Sequence, residues 1–297
     1  MSPSRRAAVH LVPVLHLVMV LLVAAACGST ASVVTPQTSS SPTTESPTSS
    51  PIPTMVAPEP LTGSIRYEIV NRFPHDSDAF TQGLEEVDGR LLESVGLLDR
   101  SDRREVDLAS GEIISRQPLD PELFAEGMTE RQGLLYQLTY NAGIVIVSNA
   151  DTLVDTGERF TYEGEGWGIC AADALEGEPF VMSNGSAELM IRDPETFAVL
   201  RTLEVVDGDG RPVERLNELE CVGNNVLANV WKSDLVISID LAEGAVIGVL
   251  DLSELGPDDA DPDRAVLNGI AYRPASGTYL VTGKLWPTLY ELELSGS

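Results

Sequence analysis

From residue 64 onward the chain is a succession of short apolar runs of strand length, each ended by turn residues. Five runs open alike: Phe80-Thr81-Gln82-Gly83-Leu84, Phe124-Ala125-Glu126-Gly127-Met128, Gly166-Trp167-Gly168-Ile169, Asn217-Glu218-Leu219-Glu220 and Asn268-Gly269-Ile270-Ala271. Aligned on Gln82, Glu126, Trp167, Asn217 and Asn268, they recur every ~40 to 50 residues, the period of propeller blades. Each opening leads through a turn to a second strand, at residues 90–94, 134–138, 179–182, 225–229 and 278–281. Third strands follow at 104–108, 144–147, 189–191, 235–239 and 289–292, and the first four repeats add a fourth, as at 245–250.

The fifth repeat stops one strand short. Residues 64–70 alternate as a strand ahead of the first repeat and supply the missing partner, so the ring has no long unpaired edge. The pattern predicts an all-β, five-bladed β-propeller over residues 61–297, with four-stranded blades and a ring closed by the N-terminal strand. A β-sandwich or an open repeat array is the alternative that such strands also fit.

The first sixty residues are of another kind. Residues 1–26 contain no acid, place Arg5 and Arg6 before an apolar stretch too short to span a bilayer, and end in Ala24-Ala25-Ala26 before Cys27, as an export signal does. Val23 to Gly28 resembles the lipobox of bacterial lipoproteins, which implies acylation of Cys27; an ordinary signal peptide with an incidental cysteine is the other reading. The arginine pair leaves the general and the twin-arginine export routes open. Residues 27–60 are rich in Ser, Thr and Pro and cannot bury enough apolar surface to fold, so they read as a disordered tether. These features place the protein outside the cell or in a periplasm, held by a lipid at the outer face of the cytoplasmic membrane. A monomer is expected.

Composition narrows the chemistry. A net charge of −27 repels nucleic acid and anionic lipid, so no nucleic-acid role is expected and the membrane is met through the anchor alone. Beyond the signal there remain Cys27, Cys170, Cys221 and His75, too few nitrogen and sulfur ligands for a zinc cage and no set for a histidine triad. No metal or other cofactor is expected. Cys170 and Cys221 either form a disulfide or are buried small apolar residues.

In a blade, the start of strand one and the end of strand two share a face, and the rare side chains fall at those places. The chain has two lysines and three tryptophans: Trp167 opens the third repeat, Trp231 and Lys232 end strand two of the fourth, and Lys284 and Trp286 end strand two of the fifth. Strand-one starts add Gln82, Glu126, Asn217 and Asn268, and Tyr140 ends a second strand. One mouth thus gathers an acid, an amine, carboxamides and aromatic walls, the makeup of a small-molecule pocket.

The strings FTQGLE at Phe80, FAEGMT at Phe124, YQLTY at Tyr136, EGWG at Glu165, SNGS at Ser183, NELE at Asn217, ANVW at Ala228, NGIAY at Asn268 and TGKLWP at Thr282 together resemble the glutaminyl-peptide cyclotransferases of the plant and bacterial type. The resemblance spans nearly all of residues 64 to 294. It implies cyclisation of N-terminal glutamine to pyroglutamate with loss of ammonia, on peptides or proteins, by a metal-independent enzyme. Glu126 matches the proton-transfer residue, Gln82, Asn217 and Lys284 the polar pocket residues, and Phe80, Phe124, Trp167 and Trp231 the aromatic wall. Tyr140 stands where tryptophan is usual, Asn184 where aspartate is common and Val95 where threonine is. Two other readings share the fold: a non-catalytic exported propeller that binds peptide termini or another small ligand, and a metal-dependent hydrolase of the lactonase kind.

Overall fold

The computed structural model describes residues 58–258 and 261–297. The expected signal, the lipidation site Cys27 and most of the tether lie outside the described residues. Among the described residues every regular element is a strand, as the alternating pattern requires.

Three sheets have four antiparallel strands each, in sequence order. The first holds β2 (Thr81–Val87), β3 (Arg90–Val95), β4 (Asp102–Val106) and β5 (Ile113–Pro118); the second β6 (Ala125–Arg131), β7 (Leu134–Thr139), β8 (Ile144–Asn149) and β9 (Asp155–Thr161). The third holds β10 (Ile169–Ala171), β11 (Phe180–Met182), β12 (Glu188–Arg192) and β13 (Val199–Glu204). A fourth sheet has eight strands. One half is β14 (Leu216–Val222), β15 (Asn225–Val230), β16 (Leu235–Asp240) and β17 (Val246–Asp251); the other is β18 (Leu267–Arg273), β19 (Thr278–Gly283), β20 (Thr288–Ser295) and β1 (Gly63–Pro74).

β1 joins the halves. It runs parallel to β17 over Gly63 to Ile65 and antiparallel to β20 from Arg66 to Pro74. The N-terminal strand therefore completes the three-stranded set β18 to β20, as the sequence pattern anticipates.

Burial grades across each sheet. β7 and β16 are almost wholly buried, whereas β5, β9 and β13 are largely exposed. A strand buried on both faces lies between apolar layers, and that is why Leu235-Val236-Ile237-Ser238-Ile239 reads as a near-continuous apolar run. One such layer sets Leu227, Val236 and Leu250 against Ile270, Tyr279 and Leu292, between the two halves of the eight-stranded sheet.

The first strands of the sets meet one another in cyclic order: β2 with β6, β6 with β10, β10 with β14, β14 with β18 and β18 with β2. Two glycines permit the close approach. A Cβ on Gly127 would lie 2.7 Å from the Trp167 carbonyl oxygen, and one on Gly168 only 2.1 Å from that of Asn217. In β14 the matching place is Glu218, whose buried carboxylate accepts from the Ile270 N–H at 2.9 Å and the Leu84 N–H at 3.4 Å. One side chain thus ties β14 to β18 and to β2. The two remaining cysteines form a disulfide, Cys170–Cys221, with Cα atoms 5.5 Å apart, which joins β10 to β14.

Candidate active site

The cavity at the end of the molecule where the first strands begin has a volume of about 420 Å³. Phe80, Gln82, Phe124, Glu126, Tyr140, Trp167, Asn217, Trp231 and Lys284 all line it. Two kinds of position supply them. Phe80, Phe124 and Trp167 precede β2, β6 and β10, and Gln82, Glu126 and Asn217 sit in the first residues of β2, β6 and β14. Tyr140, Trp231 and Lys284 each directly follow the last residue of β7, β15 and β19.

After two of these second strands the chain turns away at once. Lys232 and Leu285, next after Trp231 and Lys284, have left-handed φ of 59° and 61°. The structure therefore corrects three expectations. Lys232 leaves the cavity to meet Asp263 at 2.9 Å; Trp286 is buried in the core and donates through Nε1 to the Ala265 carbonyl; Asn268 donates to the Thr81 carbonyl at 3.0 Å. Leu98, Asn141, Asp263, Arg264 and Val266 complete the lining.

Hydroxyl groups at the ends of second strands fix the neighbouring first strands. Ser94 donates to the Glu126 carbonyl, and Ser183 to the Asn217 carbonyl at 2.6 Å. Each grip holds the backbone that carries a polar cavity residue, so those side chains project from fixed points.

Glu126 and Lys284, each 5% exposed, are the buried acid and amine of the cavity. Burial pushes the Glu126 carboxyl up to about 8; the Lys284 charge opposes this and the Glu165 charge adds to it. Burial likewise brings the Lys284 ammonium down to about 8, against the pull of Glu126. Lys284 donates to Gln82 Oε1 at 2.6 Å and lies 4.9 Å from the Phe80 ring centre. With Oε1 engaged, Gln82 presents its N–H₂ as the free end. Asn217 is buried and its Oδ1 has no partner, an acceptor available to a ligand.

Glu165 has no counterpart among the residues singled out from the sequence. It accepts from Tyr140 Oη at 2.9 Å and from Trp167 Nε1 at 3.0 Å. Among the described residues no group of three or more His, Cys, Asp and Glu side chains is disposed to hold a metal ion.

Known proteins share this sequence and fold. A family model described as glutamine cyclotransferase matches residues 40–294. The chain is 36% identical over 231 residues to a glutaminyl-peptide cyclotransferase of Arabidopsis thaliana, which covers 76% of this chain and 71% of that protein. It also resembles the crystal structure of Myxococcus xanthus glutaminyl cyclase, with a TM-score of 0.72 and 37% identity over 80% of this chain and 99% of that one.

Proposed function

The chain belongs to the glutamine cyclotransferase family and its activity is that of a glutaminyl-peptide cyclotransferase; we propose that the cavity holding Glu126 and Lys284 is where an N-terminal glutamine closes to pyroglutamate. The observation that carries this reading is the burial of one acid and one amine together inside an aromatic cavity.

The reaction joins the α-nitrogen to Cδ of the same residue and expels the side-chain nitrogen as ammonia. A proton must leave the attacking amine and another must reach the departing nitrogen, and one carboxyl group serves both steps. Glu126 is assigned that role. Its carboxyl, raised to about 8, matches a peptide α-amine at ~8, so transfer in either direction is nearly balanced.

The tetrahedral intermediate bears an oxyanion. Lys284 and the free N–H₂ of Gln82 are assigned to it, because donors fixed beforehand stabilise charge without reorganising. Asn217, whose Oδ1 has no partner, is assigned to accept from the substrate's amine. Phe80, Phe124, Tyr140, Trp167 and Trp231 fold the flexible side chain toward its own amine and exclude water, which supplies rate through positioning.

We read the fold as five four-stranded blades in a ring, the two halves of the eight-stranded sheet being separate blades clasped by β1. Cyclic contact of the five first strands and the apolar layer between the halves support this. The enzyme is further proposed to be an exported, monomeric lipoprotein acylated at Cys27. The Cys170–Cys221 bridge suits an oxidising compartment.

Ammonia release from a glutamine-initiated dipeptide tests the assignment. Wild type should turn over with or without chelator, and Glu126→Gln should lose about a thousandfold in kcat, within the range of general acid–base catalysis. No release from folded wild type would favour a binding protein, and a Glu126→Gln variant that keeps most of the rate would remove Glu126 from the chemistry.

A further inference from the structure

The cavity wall consists of two separate runs of ring contacts. On one side Phe80 meets Phe124 edge-on at 6.3 Å and Phe124 meets Tyr140 at 5.9 Å. On the other, Trp167 meets Trp231 edge-on at 5.4 Å. Tyr140 and Trp167 come from the second and third sheets, so nothing in either sheet alone sets their mutual position.

Glu165 spans the gap. One carboxylate oxygen accepts from the Tyr140 hydroxyl at 2.9 Å and the other from the Trp167 indole at 3.0 Å. Its own segment is held at both ends: the Gly166 N–H donates to the Tyr140 carbonyl at 2.9 Å, and the Trp167 N–H to the Ser183 carbonyl at 3.1 Å. A Cβ on Gly166 would lie 2.4 Å from the Tyr162 hydroxyl, so any larger residue there would push against that ring.

We propose that Glu165 is a positioning residue for the cyclisation: its carboxylate locks Tyr140 and Trp167 into one continuous wall against which the glutamine side chain is folded. The inference rests on the proposed reading of this cavity. A carboxylate suits the place, since its two acceptor oxygens serve one donor each. Hydrogen bonds to a charged acceptor are also stronger than neutral ones, which suits rings that must stay in place.

The charge has a second effect. Glu126 is faced by the Lys284 ammonium and the Glu165 carboxylate, with the Tyr140 and Tyr162 phenols feeling its charge. Glu165 acts there in the same direction as burial, so its removal lowers the value at which Glu126 ionises.

Three variants separate positioning from bulk structure. Glu165→Gln keeps the shape but offers one acceptor and no charge; Glu165→Ala offers none; Tyr140→Phe removes one donor alone. With wild type releasing ammonia from a glutamine dipeptide, Glu165→Gln should lose about tenfold and Glu165→Ala about a hundredfold in kcat/KM, chiefly in kcat. The acid limb of the pH profile should move to lower pH in Glu165→Gln, a change that loosened folding would not produce. Tyr140→Phe should cost little more once Glu165 is alanine, because partners in one network are not additive. Wild-type kcat with an unmoved acid limb in Glu165→Gln overturns the inference, as does full additivity of the double variant. A wild type that releases no ammonia overturns the underlying reading and this inference with it.

Discussion

Burial of Glu126 should displace the pH profile of the enzyme, and the structure sets by how much. With its carboxyl raised to about 8 and a peptide α-amine at ~8, turnover needs one proton shared between the two. With two protons the amine cannot attack; with none the departing nitrogen has no donor. Two equal sites hold one proton about half of the time at pH 8 and about 2% of the time at pH 6, so kcat/KM should fall ~25-fold over that interval. An alkaline limb follows, steepened by the Lys284 ammonium, which burial lowers to about 8. The assay is the initial rate of ammonia release at low substrate from pH 5 to 10, with Glu126→Gln as the blank. A carboxyl at its ordinary 4.5 would give a plateau from about pH 5 to 7.5. Finding that plateau refutes the reasoning.

Three further outcomes are expected. Gly127→Ala forces a Cβ within 2.9 Å of three atoms of the Trp167–Ile169 backbone, so it should cost about 1–3 kcal/mol and lower activity with stability. Gly208→Ala, at an open position, is the control, and equal melting temperatures for the two variants would sink the argument. Reducing the Cys170–Cys221 bridge, separated by 51 residues, should cost about 4 kcal/mol and roughly 10 °C in Tm by calorimetry; a loss under about 2 °C contradicts this. His75 donates to the Trp286 carbonyl and Glu93, and burial, which would lower it, is outweighed by the Glu93 charge, so its value is raised. That contribution is full below about 6.5 and fades as pH rises through the raised value. Glu93, despite its burial, is lowered by His75, and its share fades only in acid. Wild type should therefore lose more Tm than His75→Gln between pH 6 and 9, a difference that cancels the raised acids Glu126 and Glu218, which act in the same direction in both proteins; equal slopes would remove the His75 pair as a source of stability.

The strands were legible because burial on one or both faces writes itself into residue type. The second strand read at 225–229 is β15, Asn225–Val230, and the run at 64–70 is the core of β1. Seven cavity residues followed from asking where rare side chains fall along those strands, and Phe80 and Phe124 from the family resemblance. Trp286 misled because its rarity and its place at the strand end counted it with Lys284: Leu285 adopts a left-handed φ, and the ring beyond it drops into the core. Glu218 and Glu165 were illegible for a different reason. The N–H groups that Glu218 satisfies lie 134 and 52 residues away; Glu165 lies two residues from its Trp167 donor but 25 from its Tyr140 donor, which follows a strand of another sheet, so its bridging leaves no local mark. Asp263 and Arg264 reach the cavity from an irregular segment without a period to follow.

The course of β1 decides from which side the molecule can be held. Its last residue, Pro74, pairs with Thr288 close after Lys284, at the cavity end, whereas Arg66 pairs with Ser295 at the far end. Ser297 donates from its backbone to the Thr62 carbonyl, so residues 62 and 297 sit side by side there. A strand of twelve residues spans about 36 Å, and that length of protein separates the shared exit from the mouth. A support, a fusion or a lipid surface joined at residue 62 or 297 leaves the mouth pointing outward, open to chain ends as long and as folded as those of whole proteins.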